Sequence, residues 1–117
     1  MIGGGSGGIS AARWAAEAGK KVGLADFVKP SPIGTTWGIG GTCVNVGCIP
    51  KKMMHYAGIM YENINEYERL GYPDSITKMH DWEILKNNVQ MYIKKLNFGY
   101  RSSLRERKIN YYNKLSK

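Results

Sequence analysis

An α/β fold is predicted by three observations along this chain of 117 residues. Glycines at positions 3, 5 and 8 follow a short apolar start, an alanine-rich stretch comes next, and a second apolar run ends in a carboxylate at Asp26. Strand, glycine turn, helix, strand and acid, in that order, make a dinucleotide-binding βαβ unit of the Rossmann-like kind, whose acidic residue accepts ribose hydrogen bonds about 20 positions beyond the glycines. Here Asp26 lies 21 positions after Gly5. Both cysteines then fall at 43 and 48, in a Gly-flanked stretch read as a redox helix, and a long basic helix completes the predicted order.

The first element is the apolar pair Met1-Ile2, running into Gly3-Gly4-Gly5-Ser6-Gly7-Gly8. Glycines there let the backbone approach a pyrophosphate, and the following helix N-terminus opposes its charge with oriented amides. A flexible glycine loop is the plain alternative, and the order of the surrounding elements argues against it. Ile9 to Ala18 holds strong helix formers until Gly19 stops them, and Lys20 to Asp26 reads as the second strand. Only Met1 and Ile2 precede the turn, whereas a strand runs to about five residues. One βα unit and a second strand are visible, so the sheet is expected to be incomplete and to lack its later strands.

The cysteine pair sits in Gly41-Thr42-Cys43-Val44-Asn45-Val46-Gly47-Cys48-Ile49-Pro50-Lys51-Lys52. On a regular helix five positions place two Cα atoms about 8.6 Å apart, beyond the roughly 7 Å that a disulfide spans. Oxidation of the pair therefore requires a distorted or broken first turn, and strained, accessible disulfides are the labile, catalytic ones. A bridge closing so small a loop constrains the unfolded chain little, which weakens a purely structural role. Spacing alone leaves a redox dithiol and two unpaired buried thiols both open. Zinc is disfavoured, because His55 and His80 lie at no ligand spacing from the cysteines.

Gly71-Tyr72-Pro73-Asp74 reads as the turn before the last helix. That helix is predicted from Trp82, Leu85, Val89, Tyr92, Leu96, Tyr100 and Leu104, a single apolar stripe at three and four spacing. Net charge is +8, but residues 1–83 carry eight basic and eight acidic side chains, so the excess lies in residues 84–117. With no zinc knuckle, aromatic run or helix-turn-helix pattern beside it, this charge reads as a solvated face, and nucleic-acid binding is not expected. No run approaches 18 apolar residues, so no membrane span is expected.

A glycine turn followed by a CxxxxC pair resembles the pyridine nucleotide-disulfide oxidoreductases. Within them, Gly34-Thr35-Thr36-Trp37-Gly38, GGTCVNVGCIPKK and Met53-Met54-His55 are similar to the high-molecular-weight thioredoxin reductases. The resemblance covers the whole chain and is strongest over residues 1–56. It implies that residues 1–117 are the N-terminal portion of an FAD-binding domain, with the NADPH and dimerisation domains lying outside it. It implies FAD at Gly3, Gly5, Ser6, Gly7 and Gly8 (phosphate loop), Asp26 with neighbouring Phe27 (adenosine ribose), and Thr42 beside the pyrophosphate. Cys43, Gly47, Cys48 and Lys51 complete the cofactor contacts.

Catalytic roles are implied in the same way for Cys43, Cys48 and Lys51. Cys48 faces the flavin as a charge-transfer thiolate, Cys43 exchanges with the next disulfide, and Lys51 sits near the flavin N5. The residues add a physical reason for unequal roles: Cys43 is expected at a helix start, where the dipole favours a thiolate and access is easier. Trp37 and His55 are assigned no chemistry.

The activity implied is NADPH-driven thioredoxin-disulfide reduction in cell redox homeostasis, by a homodimeric parent protein in the cytoplasm or, alternatively, the mitochondrion. Glutathione or thioredoxin-glutathione reduction is the alternative within the class. A non-catalytic FAD-binding module or truncated product is the alternative outside it. The short chain alone is expected to be inactive.

Overall fold

The computed structural model describes residues 1–27, 37–72 and 80–116. The loop residues 30–36 and the Pro73-Asp74 half of the expected turn lie outside them. The described elements are α1 (Ser6–Glu17), β1 (Gly23–Ala25), α2 (Gly41–Asn45), α3 (Cys48–Tyr67), a 3₁₀ turn (Glu68–Leu70), α4 (Trp82–Glu106) and β2 (Asn110–Tyr112).

Strand β1 is the middle of three parallel stretches. Its odd residues face the N-terminal segment: the Met1 ammonium donates to Gly23 O at 2.8 Å, Ala25 N to Met1 O at 2.9 Å, and Gly3 N to Ala25 O at 2.8 Å. The flanking even positions face β2, with Asn110 N donating to Val22 O at 3.0 Å and Asp26 N to Tyr112 O at 2.9 Å. The register pairs Gly23 with Asn110, Leu24 with Tyr111 and Ala25 with Tyr112. A third parallel strand is therefore present, which corrects the expectation of a sheet with nothing beyond its second strand. At three residues it is too short to show a period of its own, and its partner lies more than 80 positions earlier.

Helix α1 ends where its sequence says it should. Gly19 takes a left-handed φ of 76°, and Lys20 N donates to Ala15 O at 3.0 Å, closing the last turn. Ile9 and Ala12 of α1 pack with Val22, Leu24, Ile39, Leu104 and Ile109 in the main core. Val44 of α2 joins Val89 and Ile93 in a second cluster, flanked by Ile49, Met53, Leu85 and Leu96, and Tyr100 touches both clusters.

Helix α4 thus serves as the floor on which the N-terminal unit and the cysteine helices both rest. Asp81 caps it by accepting from Ile84 N at 3.1 Å. In its middle the buried stripe differs from the expected one: Ile93 is 4% exposed, whereas Tyr92 is 44% exposed. A period of 3.6 carries the face from Val89 to Ile93, and the smaller aliphatic side chain fits the tight contact with Val44. Trp82, also on the expected stripe, is half exposed at the helix start.

Candidate active site

The glycine turn is shaped by contacts that only glycine permits. Gly3 has φ 97°, and a Cβ on Gly8 would collide with the Gly3 carbonyl. A Cβ on Gly4 would sit 2.6 Å from Asp26 Oδ2, so the carboxylate at the end of β1 lies directly against the turn. Over Gly7 there is open space, with no atom within 4 Å of a would-be Cβ. No side chain caps α1 and no acid occupies its first turn. Its leading amides therefore present uncompensated positive potential beside an open backbone, which is what an anionic diphosphate requires. Ser6, exposed, stands at the same point. Asp26 and exposed Phe27 line a pocket of about 160 Å³ with Ile2, Gly3 and Ala25.

The cysteine segment meets this turn backbone to backbone. Gly40 N donates to Gly4 O at 2.9 Å, Gly5 pairs with Gly40 in parallel, and a Cβ on Gly41 would lie 2.8 Å from Gly5 Cα. Gly40 and Gly41 take φ values of 133° and 73°, consecutive conformations that side chains resist. The glycine turn and the segment leading into the cysteines are thus in direct contact, although some 35 residues separate turn and cysteine pair in sequence.

The two cysteines lie on different helices, the arrangement that oxidation of the pair would require. Cys43 is in α2, Val46 and Gly47 break the helix, and Cys48 opens α3. Gly47 makes the tight reversal: a Cβ there would be 3.0 Å from Thr42 O and 3.2 Å from Cys43 Cα. Pro50 is tolerated in the first turn of α3, where its missing N–H would find no intrahelical partner. Both cysteines are free thiols, Cys43 half-buried and Cys48 exposed.

Hydrogen bonding with Cys48 is the main influence holding the Cys43 thiol above its usual range, burial adds to it, and the Lys51 charge opposes it. Donation of the Cys43 S–H toward Cys48 stabilises the protonated form. Cys43 does lie in the first turn of a helix, but of the five-residue α2, while Cys48 opens the 20-residue α3; the expectation that Cys43 is the more accessible thiol is corrected, since Cys48 is the exposed one. A glycine-flanked sequence did not reveal which side of the break would carry the long helix.

Two residues escaped sequence reading. Asn45, buried between the cysteines, donates to Gly38 O at 3.0 Å and Gly41 O at 2.8 Å, and its Oδ1 accepts from Gly38 N at 3.1 Å. Asn97 of α4 donates to Asn45 Oδ1 at 3.2 Å and to Ile39 O at 2.8 Å. An asparagine inside a helical stretch is a poor helix former that seeks local backbone partners, and that was the available signal.

The family described as pyridine nucleotide-disulphide oxidoreductase matches residues 1–115. The chain belongs to that family. It is 57% identical over 113 residues to thioredoxin reductase SEP1 of Emiliania huxleyi, an overlap covering 97% of the chain and 23% of that relative. It spans about a quarter of the relative's length. The structure brings together Gly3, Gly5, Gly8 and Asp26 at the glycine turn, and Cys43, Gly47, Cys48 and Lys51 at the cysteine pair. Thr42 is exposed at the start of α2, between the two groups. Among the described residues no group of three His, Cys, Asp or Glu could hold a metal, and no helix is long and apolar enough to cross a membrane.

Proposed function

We propose that the chain is the N-terminal part of the FAD-binding domain of an NADPH-driven thioredoxin-disulfide reductase. The observation that carries this reading is the junction of the uncapped glycine turn with the Cys43–Cys48 pair through Gly5, Gly40 and Gly41. The donor set fits FAD: uncapped α1 amides for its diphosphate, Asp26 for a ribose hydroxyl, and the cysteine segment in direct backbone contact with the same turn. When bound, the flavin supplies hydride acceptance from NADPH and onward delivery of an electron pair.

The chain's own residues do the rest. The Cys43–Cys48 disulfide takes two electrons and two protons and becomes the dithiol. Cys43 as thiolate attacks a substrate disulfide, forming a mixed disulfide and releasing one substrate thiol. Cys48 then attacks Cys43 sulfur, releasing the second thiol and restoring the internal disulfide. Lys51 holds positive charge near this exchange and favours thiolate formation. The location of Cys48 at the start of α3 supports its part as the thiolate facing the cofactor. A homodimeric parent protein, a cytoplasmic setting and NADPH sites elsewhere in it belong to the same proposal.

The test is purification of the whole reductase carrying this segment, with flavin content and NADPH oxidation measured against thioredoxin and glutathione disulfide. One FAD per chain and a strong preference for thioredoxin, at least about a hundredfold in kcat/KM, are expected. A flavin-free protein would contradict the cofactor assignment, and preference for glutathione disulfide would move the assignment to the alternative substrate.

A further inference from the structure

Asn97 lies among Ile93, Leu96 and Tyr100, the residues by which α4 supports both core clusters. An amide there adds nothing to apolar packing. Its Nδ2 is committed to Ile39 O and to Asn45 Oδ1, and Asn45 holds Gly38 through both its N–H and its carbonyl, and Gly41 through its carbonyl. Gly38 is seated so closely that a Cβ would collide with the Asn97 side chain. All of these bonds end on the turn that leads into Cys43.

We propose that Asn97 is a positioning residue for the Cys43–Cys48 pair, setting the disulfide equilibrium by fixing α2 against α3. This rests on the redox-pair reading above. Helix α2 has five residues and no side-chain cap, so it cannot hold its own orientation. Beside its backbone contacts with Gly4, Gly5 and Gly47, two side-chain interactions fix it from α4: the packing of Val44 with Val89 and Ile93, and the Asn97–Asn45 clamp. Cys48 rides on a separate helix, so the distance between the sulfurs follows the placement of α2. Thiols held within reach have a high effective concentration toward each other, which favours the disulfide. Loosening the turn lowers that concentration and favours the dithiol.

The experiment equilibrates the whole reductase with mixtures of oxidised and reduced dithiothreitol. In this exchange the Cys43–Cys48 dithiol passes its electron pair and two protons to the oxidised reagent, forming one internal disulfide and reduced dithiothreitol. Free thiols are then alkylated and the peptides holding Cys43 and Cys48 are weighed. Asn97→Asp keeps the shape but turns an acceptor toward two oxygens, and Asn97→Ala removes the bonds without repulsion.

A shift of about tenfold toward the dithiol, roughly 30 mV, is expected for Asn97→Asp, and a smaller shift of the same sign for Asn97→Ala. Leu104→Ala, in the other cluster, should lower the melting temperature and leave the equilibrium unchanged. An equilibrium within twofold of wild type in whichever Asn97 variant folds, or an equal shift in Leu104→Ala, would overturn the proposal. Failure of both Asn97 variants to fold would also overturn it, by making Asn97 a folding residue. Absence of a Cys43–Cys48 disulfide in the wild-type protein would instead defeat the redox-pair reading itself.

Discussion

Serine at Cys48 is expected to reduce thioredoxin-disulfide turnover by the whole reductase by at least about a thousandfold, with Cys43→Ser falling as far. The reason is that the pair acts as a unit. Without Cys48 a mixed disulfide on Cys43 cannot be resolved, and without Cys43 the thiol assigned to open the substrate disulfide is gone and Cys48 alone cannot form the internal disulfide. The two hydroxyls approach the size of the thiols they replace, so neither the break at Val46–Gly47 nor the packing of Val44 should change. Steady-state NADPH oxidation with thioredoxin present checks the loss, and retained flavin absorbance checks that the site is intact. Activity near wild type in either variant would mean that the electrons take another route.

Gly8→Ala is expected to be the most damaging added methyl among the described glycines. Its Cβ has no room beside the Gly3 carbonyl, which is backbone and cannot rotate away. Either α1 must lift from the N-terminal segment or the bond from Gly3 N to Ala25 O must open. A cost of about 3 kcal/mol is expected from forced backbone displacement of this kind. Gly7→Ala is the matched control, since nothing lies within 4 Å of the added carbon. In a helix it should be neutral or stabilise by up to about 1 kcal/mol. Denaturant unfolding of the two variants side by side measures the difference, and equal stability would show that the Gly3–Gly8 contact does not hold the turn.

Much of this site was legible in the chain because its constraints are local. The glycines at 3, 5 and 8, the helix stop at Gly19 and the acid at Asp26 each follow from backbone sterics or from a short fixed spacing, and each lies where those constraints require. The break between Cys43 and Cys48 is likewise what helix geometry requires of a pair that can oxidise. What escaped was long-range. Strand β2 is specified by pairing with β1, not by any period in Asn110–Tyr112. The choice of Ile93 over Tyr92 depends on the contact with Val44, half the chain away. The Asn45–Asn97 clamp joins positions 52 residues apart, and an asparagine amid apolar neighbours carries no mark of its partner. Glycines flank both cysteines, and only the fold shows that the long helix α3 begins at Cys48 and that Cys48 is the more exposed thiol.

The central claim is that Cys43 and Cys48 carry electrons in unequal roles, Cys48 facing the cofactor and Cys43 facing the substrate. The most direct measurement is the visible spectrum of the whole flavoprotein after reduction by two electrons, recorded for wild type, Cys43→Ser and Cys48→Ser. A long-wavelength band from thiolate–flavin contact should appear in wild type, persist in Cys43→Ser and vanish in Cys48→Ser. A band that survives in Cys48→Ser and is lost in Cys43→Ser would contradict the assignment.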